Sequence, residues 1–158
     1  MATIYMYGHS MGGDVSLRVM EVCPACVRAV SLWAPAVTSF PESFLYFARK
    51  TTTTDPKRLE RFQKRQAELA ANFTSDQYTD VSTFDNVDRI QVPVIIHHAT
   101  ADQSVPYAWG RELFEKLQSL NKDVRFYTYQ GDNHDIAGNW STALNRDLEF
   151  FNSKLTSR

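Results

Sequence analysis

The stretch Ile4-Tyr5-Met6-Tyr7-Gly8-His9-Ser10-Met11-Gly12-Gly13 decides how this chain is read. A short apolar run feeds a turn of small residues with Ser10 at its tip, and the turn opens into the helical pattern Val15-Ser16-Leu17-Arg18-Val19-Met20. Strand, sharp turn and helix follow one another with no linker. A Gly-x-Ser-x-Gly turn in this setting lifts the serine hydroxyl above the end of a sheet, and it calls for glycine, here Gly8 and Gly12, where strand and helix pass closest. The pentapeptide alone recurs by chance. Its flanks are what give it weight.

Working outward, residues 27–33 read as a second buried strand, closed by Ala34-Pro35, and two strands joined by a helix imply a right-handed parallel crossover. The pattern changes between Val37 and Arg89. Residues 41–50 read as a short helix, the four threonines 51–54 as a break, and Asp55-Pro56 as an N-cap followed by proline at the first helical position. The next helix, 57–73, places Leu59, Phe62, Leu69 and Phe73 on one face and Lys57, Arg58, Arg61, Lys64 and Arg65 on a solvated one. This segment, 37–89, reads as a cap-like insertion within a single domain spanning 1–158. Alternation of strand and helix then returns. Strands are expected at 92–98 and 124–129, a helix at 107–120 with Leu113, Phe114 and Leu117 inward, and a last helix at 140–154 with Leu144, Leu148, Phe151 and Leu155 as its apolar stripe. The fold class is α/β, with a mainly parallel sheet of about four strands and flanking helices. In such sheets ligands gather at the carboxyl ends of the strands.

Bulk properties remove several classes of function. A chain of 158 residues is long enough for one core, and a formal net charge of −1 with interspersed signs gives no reason to expect nucleic acid or an anionic membrane as partner. No apolar run approaches the roughly 20 residues of a membrane span, and no basic-then-apolar leader opens the chain, so a cytoplasmic location is expected. The two cysteines, Cys23 and Cys26, stand where the first helix ends, not where one begins, so a low-pKa redox thiol is not expected there. A structural zinc site wants four ligands, and there is no second cysteine pair. They are read as buried or half-buried thiols, and neither a metal nor another cofactor is called for.

Three polar residues follow the carboxyl ends of three different strands: Ser10, Asp102 and His134. Their order is nucleophile, acid, base. A serine hydroxyl is a poor nucleophile unless an imidazole takes its proton, and the imidazole needs a carboxylate to hold its tautomer and stabilise the cation. His9 is the variable position of the turn, and His97 and His98 end the third strand; they compete less well for the role of base. Asp132 and Asp135 lie too close to His134 along the chain to orient it in the usual way.

With GHSMGG after a strand, VPVIIHHATADQSVP before a helix and YQGDNHD after the last strand, the chain resembles the α/β-hydrolase superfamily. It is most similar to the catalytic domains of the prolyl oligopeptidase and related esterase group, over nearly the whole chain from Ile4 to about Leu155. The resemblance implies Ser10 as nucleophile, Asp102 as acid, His134 as base and the Met11 amide as one oxyanion donor. His98 stands where relatives usually carry glycine, which implies a local rearrangement near Asp102. The family places four strands before the turn-bearing strand and takes a second oxyanion donor from a loop among them. This chain therefore reads as a truncated α/β-hydrolase fold, and loss of one donor implies turnover lower by ~100 to 1000-fold. The same comparison turns residues 4–7 into an exposed sheet edge, for which homo-oligomerisation by antiparallel pairing of Ile4 to Tyr7 with a second copy is expected.

The implied reaction is acyl transfer to water, with a small-molecule ester as substrate. Trp33, Phe40, Phe44, Phe47 and Trp109 are candidates to line an apolar acyl pocket, although any one of them also suits an ordinary core. A carboxylesterase for short to medium acyl chains is favoured. A peptidase of the prolyl oligopeptidase group and a non-catalytic interaction module remain as alternatives.

Overall fold

The computed structural model describes residues 4–50 and 55–155; the threonine break lies outside the described residues. Strands β1 (Tyr5–His9), β2 (Ala29–Trp33), β3 (Val94–Ala99) and β4 (Val124–Tyr129) form one sheet in that order, every neighbouring pair parallel. Helix α1 (Met11–Val22) joins β1 to β2. Helices α2 (Glu42–Lys50), α3 (Pro56–Asn72) and α4 (Ser75–Val81) lie between β2 and β3, α5 (Tyr107–Ser119) joins β3 to β4, and α6 (Trp140–Leu155) follows β4. The central strands, AVSLW and VIIHHA, are buried at every position, as expected of parallel strands covered on both faces. β1 is an edge, and Ile4 and Tyr7 are 51% and 56% exposed.

Register separates the two faces of the sheet. Gly8, Leu32, Ile96 and Phe126 pair across it in one row, and His9, Trp33, His97 and Tyr127 pair in the next, so the rows point to opposite sides. The first side carries α1 and α5: an added Cβ at Gly8 would collide with the Gly12 carbonyl, and Phe114 stacks on Phe126. The second side carries α6, where Phe150 packs with Ala29 and Ile95.

The chain divides into two compact units, one made of 1–37 with 87–158 and the other of 38–86. Within the smaller unit Asp55 caps α3, its Oδ1 accepting the Lys57 N–H at 3.0 Å, with Pro56 at the first position as the sequence implies. Helix α4 is absent from the sequence reading. Its start is a capping box in which the Thr74 side chain accepts from the Gln77 N–H and the Gln77 side chain accepts from the Thr74 N–H. Phe40, Leu69, Phe73, Tyr78 and Val81 line an apolar groove of about 490 Å³ in this unit.

Three expectations are corrected. The inward face of α6 is Ala143, Asp147 and Phe150, while Leu148 and Leu155 are 53% and 51% exposed. The helix is turned by its acid: Asp147 Oδ1 accepts from Ser31 Oγ at 2.6 Å and His97 Nε2 at 3.0 Å, and Oδ2 accepts from the Trp33 indole at 2.8 Å. The cysteines are not thiols; Cys23 and Cys26 are joined in a disulfide, their Cα atoms 5.4 Å apart. A Cβ at Gly12 would meet nothing within 4 Å among the described residues, whereas one at Gly13 would lie 2.8 Å from Pro35 Cβ. Close passage of helix and sheet is therefore set by Gly8 and Gly13.

Candidate active site

The turn between β1 and α1 holds Ser10 at φ 57°, ψ −122°, a conformation that L residues rarely adopt. Such a residue costs of order 1–3 kcal/mol and persists only where its surroundings over-determine it. Here three backbone bonds do so: the Ser10 N–H donates to the Trp33 carbonyl at 2.9 Å, and the Ser10 carbonyl accepts from Gly13 at 2.9 Å and Ala36 at 3.0 Å. Ala34 after β2 and Ile136 after β4 also have positive φ, 45° and 53°. Of the positive-φ residues, Ser10 and Ile136 lie in the loops that carry Ser10 and His134, Ala34 lies past β2, and a further one, Asn121 at 56°, lies ahead of β4.

Asp102 lies in the loop between β3 and α5. Its Oδ1 accepts the Ser104 and Val105 N–H groups at 2.7 and 2.9 Å, which folds the loop around the carboxylate, and its side chain is fully buried. His134 comes from the loop after β4. That loop is built on Asp132, whose Oδ1 accepts from Asn133 and Gly138 and whose Oδ2 accepts from the Asn139 amide, while its own carbonyl accepts the Ala101 N–H at 3.1 Å. The two loops are thereby tied together, and His134 Nδ1 stands 2.8 Å from Asp102 Oδ2. Burial pushes the Asp102 carboxyl up, but hydrogen bonds from His98, His134, Val105 and Ser104 outweigh it and hold the group well below the usual carboxylate range. An ionised carboxylate only accepts, so His134 Nδ1 carries the proton and Nε2 of the neutral ring keeps a lone pair.

His9, the residue before Ser10, links the strand to this loop. Its Nε2 donates to the His134 carbonyl at 3.1 Å, and the two rings lie 4.5 Å apart. Among the described residues neither Ser10 Oγ nor His134 Nε2 makes a hydrogen bond. Met11 is the first residue of α1, so its N–H has no intrahelical acceptor.

The candidate pocket residues separate. Trp33 is 3% exposed with its indole bonded to Asp147, and Trp109 is 8% exposed on the inner face of α5, so both are buried. Phe40 and Phe44 lie in the 38–86 unit, where Phe40 packs edge-on to Tyr78 at 5.6 Å. Sequence reasoning sets His9 and Asp132 aside and passes over Asp147. For Asp132 a signal exists, since Gly-Asp-Asn in a loop before a short turn invites side-chain-to-backbone bonding. Among the described residues no helix is long and apolar enough to cross a membrane, and no three His, Cys, Asp or Glu side chains gather as a metal site.

The chain matches the prolyl oligopeptidase family over residues 2–158. It is 33% identical over 76 residues to the uncharacterized peptidase YtmA of Bacillus subtilis (strain 168), a match covering 48% of this chain and 30% of that protein. Among solved structures, a puromycin-hydrolyzing peptidase of Mycobacterium tuberculosis superposes with a TM-score of 0.71 at 19% identity, over 98% of this chain and 22% of that one. The Paleococcus ferrophilus monoacylglycerol lipase gives 0.62 at 21% identity, over 96% and 69%. The match to the curated relative thus spans less than a third of its length, and the structural neighbours, at these identities, speak for the fold. With its four-stranded parallel sheet and flanking helices, the chain has a partial α/β-hydrolase fold and belongs to the prolyl oligopeptidase family.

Proposed function

We propose that the chain is a serine hydrolase that cleaves carboxylic esters of short to medium acyl chains through an acyl-serine intermediate. The observation that carries this reading is the 2.8 Å contact between His134 Nδ1 and the buried Asp102 carboxylate, with His134 Nε2 left unpartnered and Ser10 held in a positive-φ turn. In the first half-reaction Ser10 Oγ bonds to the ester carbonyl carbon while His134 Nε2 takes its proton. Asp102 keeps the imidazole in the Nδ1–H tautomer and stabilises the imidazolium. The Met11 N–H, at the positive end of α1, donates to the oxyanion. The carbon–oxygen bond to the leaving alcohol then breaks, and His134 returns the proton to that oxygen. Water repeats the sequence, releasing the acid and restoring Ser10.

Esters are favoured over amides because amide cleavage asks more of the oxyanion donors and of leaving-group protonation. Two findings favour the peptidase reading: the matching family is that of prolyl oligopeptidase, and the Bacillus subtilis relative bears the name of a peptidase. One assay separates the two. Wild type is expected to turn over p-nitrophenyl acetate and butyrate and to leave aminoacyl p-nitroanilides nearly untouched, and Ser10→Ala is expected to lower ester turnover by at least about 1000-fold. A fluorophosphonate should label the peptide that contains Ser10. Equal rates from wild type and Ser10→Ala, with no label on that peptide, would leave only a non-catalytic role for this fold.

A further inference from the structure

Asp102 serves two imidazoles. Besides His134 Nδ1 at 2.8 Å, its Oδ2 has His98 Nε2 at 3.2 Å, while Oδ1 holds the two backbone N–H groups of Ser104 and Val105. A carboxylate offers about four lone-pair sites. All four have a donor nitrogen within 3.2 Å, and one of the two beside Oδ2 belongs to a residue that lies outside the set of nucleophile, acid and base.

His98 has little freedom. It sits on β3, fully buried, on the face covered by α5, with the Tyr107 ring edge-on at 5.7 Å. Its Nε2 hydrogen-bonds the Val105 carbonyl at 3.4 Å and lies 3.2 Å from Asp102 Oδ2; both groups only accept, so its one N–H is shared between them. Its Nδ1 has no hydrogen-bond partner and points at Gly110 of α5, where even a Cβ would collide with it. A proton on Nδ1 would be a buried donor without an acceptor, which the fold disfavours. The tautomer that fits is the neutral ring with its proton on Nε2.

We infer that His98 is a positioning residue that acts on His134 through Asp102: as a neutral Nε2–H donor it occupies one lone pair of Oδ2 and weakens that oxygen's hold on the His134 imidazolium. The inference rests on the reading of Ser10, His134 and Asp102 as nucleophile, base and acid. Its consequence is that His134 sheds its proton at lower pH than it would with Oδ2 to itself, so the base stays competent further into the acid range. The other groups that bear on His134 are His9, whose ring lies 4.5 Å away, and Asp135, whose carboxylate is 3.7 Å from His9 Nε2. Facing His98 are Asp102 and, from α5, Tyr107, whose hydroxyl is engaged with Thr128 at 2.9 Å. Removing His98 disturbs neither His9 nor Asp135.

Two replacements and one measurement on the unaltered protein test this. His98→Leu removes the donor, and His98→Gln keeps an uncharged N–H donor. The acid limb of Ser10 labelling by a fluorophosphonate is expected to move up by about 0.5–1 pH unit in His98→Leu, a fall of about 3 to 10-fold in rate at the acid end, and to stay in place in His98→Gln. Long-range proton–nitrogen NMR spectra of the histidine rings report the same quantities without turnover: the His134 titration should shift with the labelling profile, and His98 in the wild type should show the Nε2–H tautomer. An unchanged His134 titration in His98→Leu, or an Nδ1–H tautomer for His98, would overturn the inference. Should His98→Leu not fold, the wild-type tautomer alone decides. A protein whose Ser10 takes no label but whose His134 titration shifts as stated would defeat the hydrolase reading and leave this one standing.

Discussion

Glu21 is a buried acid with one cation for company, and its replacement by glutamine should stabilise the protein in a pH-dependent way. Its side chain is fully buried on α1, with Arg18 Nη1 at 2.7 Å; neither carboxyl oxygen has a hydrogen-bond partner among the described residues. Burial pushes its pKa from 4.5 up to about 7; Arg18 opposes the shift, Asp14 adds to it, and Arg89 and Asp88 contribute in opposite senses. At about 1.4 kcal/mol per pH unit, that difference amounts to about 3 kcal/mol between the neutral and ionised forms in the fold. The sign follows from the raised value. The neutral acid's contribution is whole below about pH 4.5, declines as pH rises toward 7, and is gone above that. Glu21→Gln resembles the neutral acid at every pH and keeps the side chain's shape. Urea unfolding of both proteins, run from about pH 4 to about pH 8.5, is expected to give coincident stabilities at the acid end and a glutamine variant more stable by up to about 3 kcal/mol at the alkaline end. Other carboxylates titrate over the same range, but they do so in both proteins and cancel in the difference. A difference that does not change with pH, or a glutamine variant less stable at about pH 8, would refute the claim that burial outweighs Arg18.

The glycines of the turn offer a paired test. Gly12→Ala meets open space and gains helix propensity, so stability should rise by about 0.5–1 kcal/mol; Gly13→Ala gains the same propensity but drives its Cβ to 2.8 Å from Pro35, where overpacking of about 1–3 kcal/mol should win and lower the melting temperature. Asp147→Ala would strip the acceptor from Ser31, Trp33 and His97 at once. At about 1–3 kcal/mol per stranded donor the loss should reach at least about 3 kcal/mol by urea unfolding, with Asp147→Asn in between because it keeps one oxygen.

How much of this was legible in the sequence depends on whether the relevant physics is local. Residues 29–33 and 94–99 are short, mainly apolar runs interrupted only by Ser31, His97 and His98, and the order Ser10, Asp102, His134 stands out because each lies just past a strand. Helix α4 was legible in principle, since Thr74 and Gln77 spell its capping box, but its seven residues, SDQYTDV, bury no side chain, so no apolar stripe announced it. Asp147 was not legible. An acid within an amphipathic helix reads as a solvent-facing residue, and only the folding together of Ser31 and Trp33 on β2 with His97 on β3 reveals why it faces inward. For the same reason the stripe through Leu148 pointed to the wrong side of α6. The close approach at Gly13 was hidden in the same way, because Pro35, which forbids a side chain there, is distant in sequence.

Among the described residues, the side chains of Glu21, Asp102 and Asp147 are buried carboxylates, and the number of donors each one finds separates their roles. Glu21 has a single guanidinium and is driven toward its neutral form, so as an anion it weakens the fold. Asp147 has three uncharged-type donors from two strands and binds α6 to the sheet beneath the turn, since Trp33, which it holds by the indole, is also the residue whose carbonyl accepts the Ser10 N–H. Asp102 has four, two of them fixed by its own loop, and stays charged despite burial. A carboxylate that must stabilise a transient imidazolium needs to be ionised before the reaction begins and to need no rearrangement when it happens. Of the three, Asp102 alone is bound that way and alone faces a histidine with a free nitrogen. The count of donors therefore points to the same residue as the order of the motifs, from an independent physical ground.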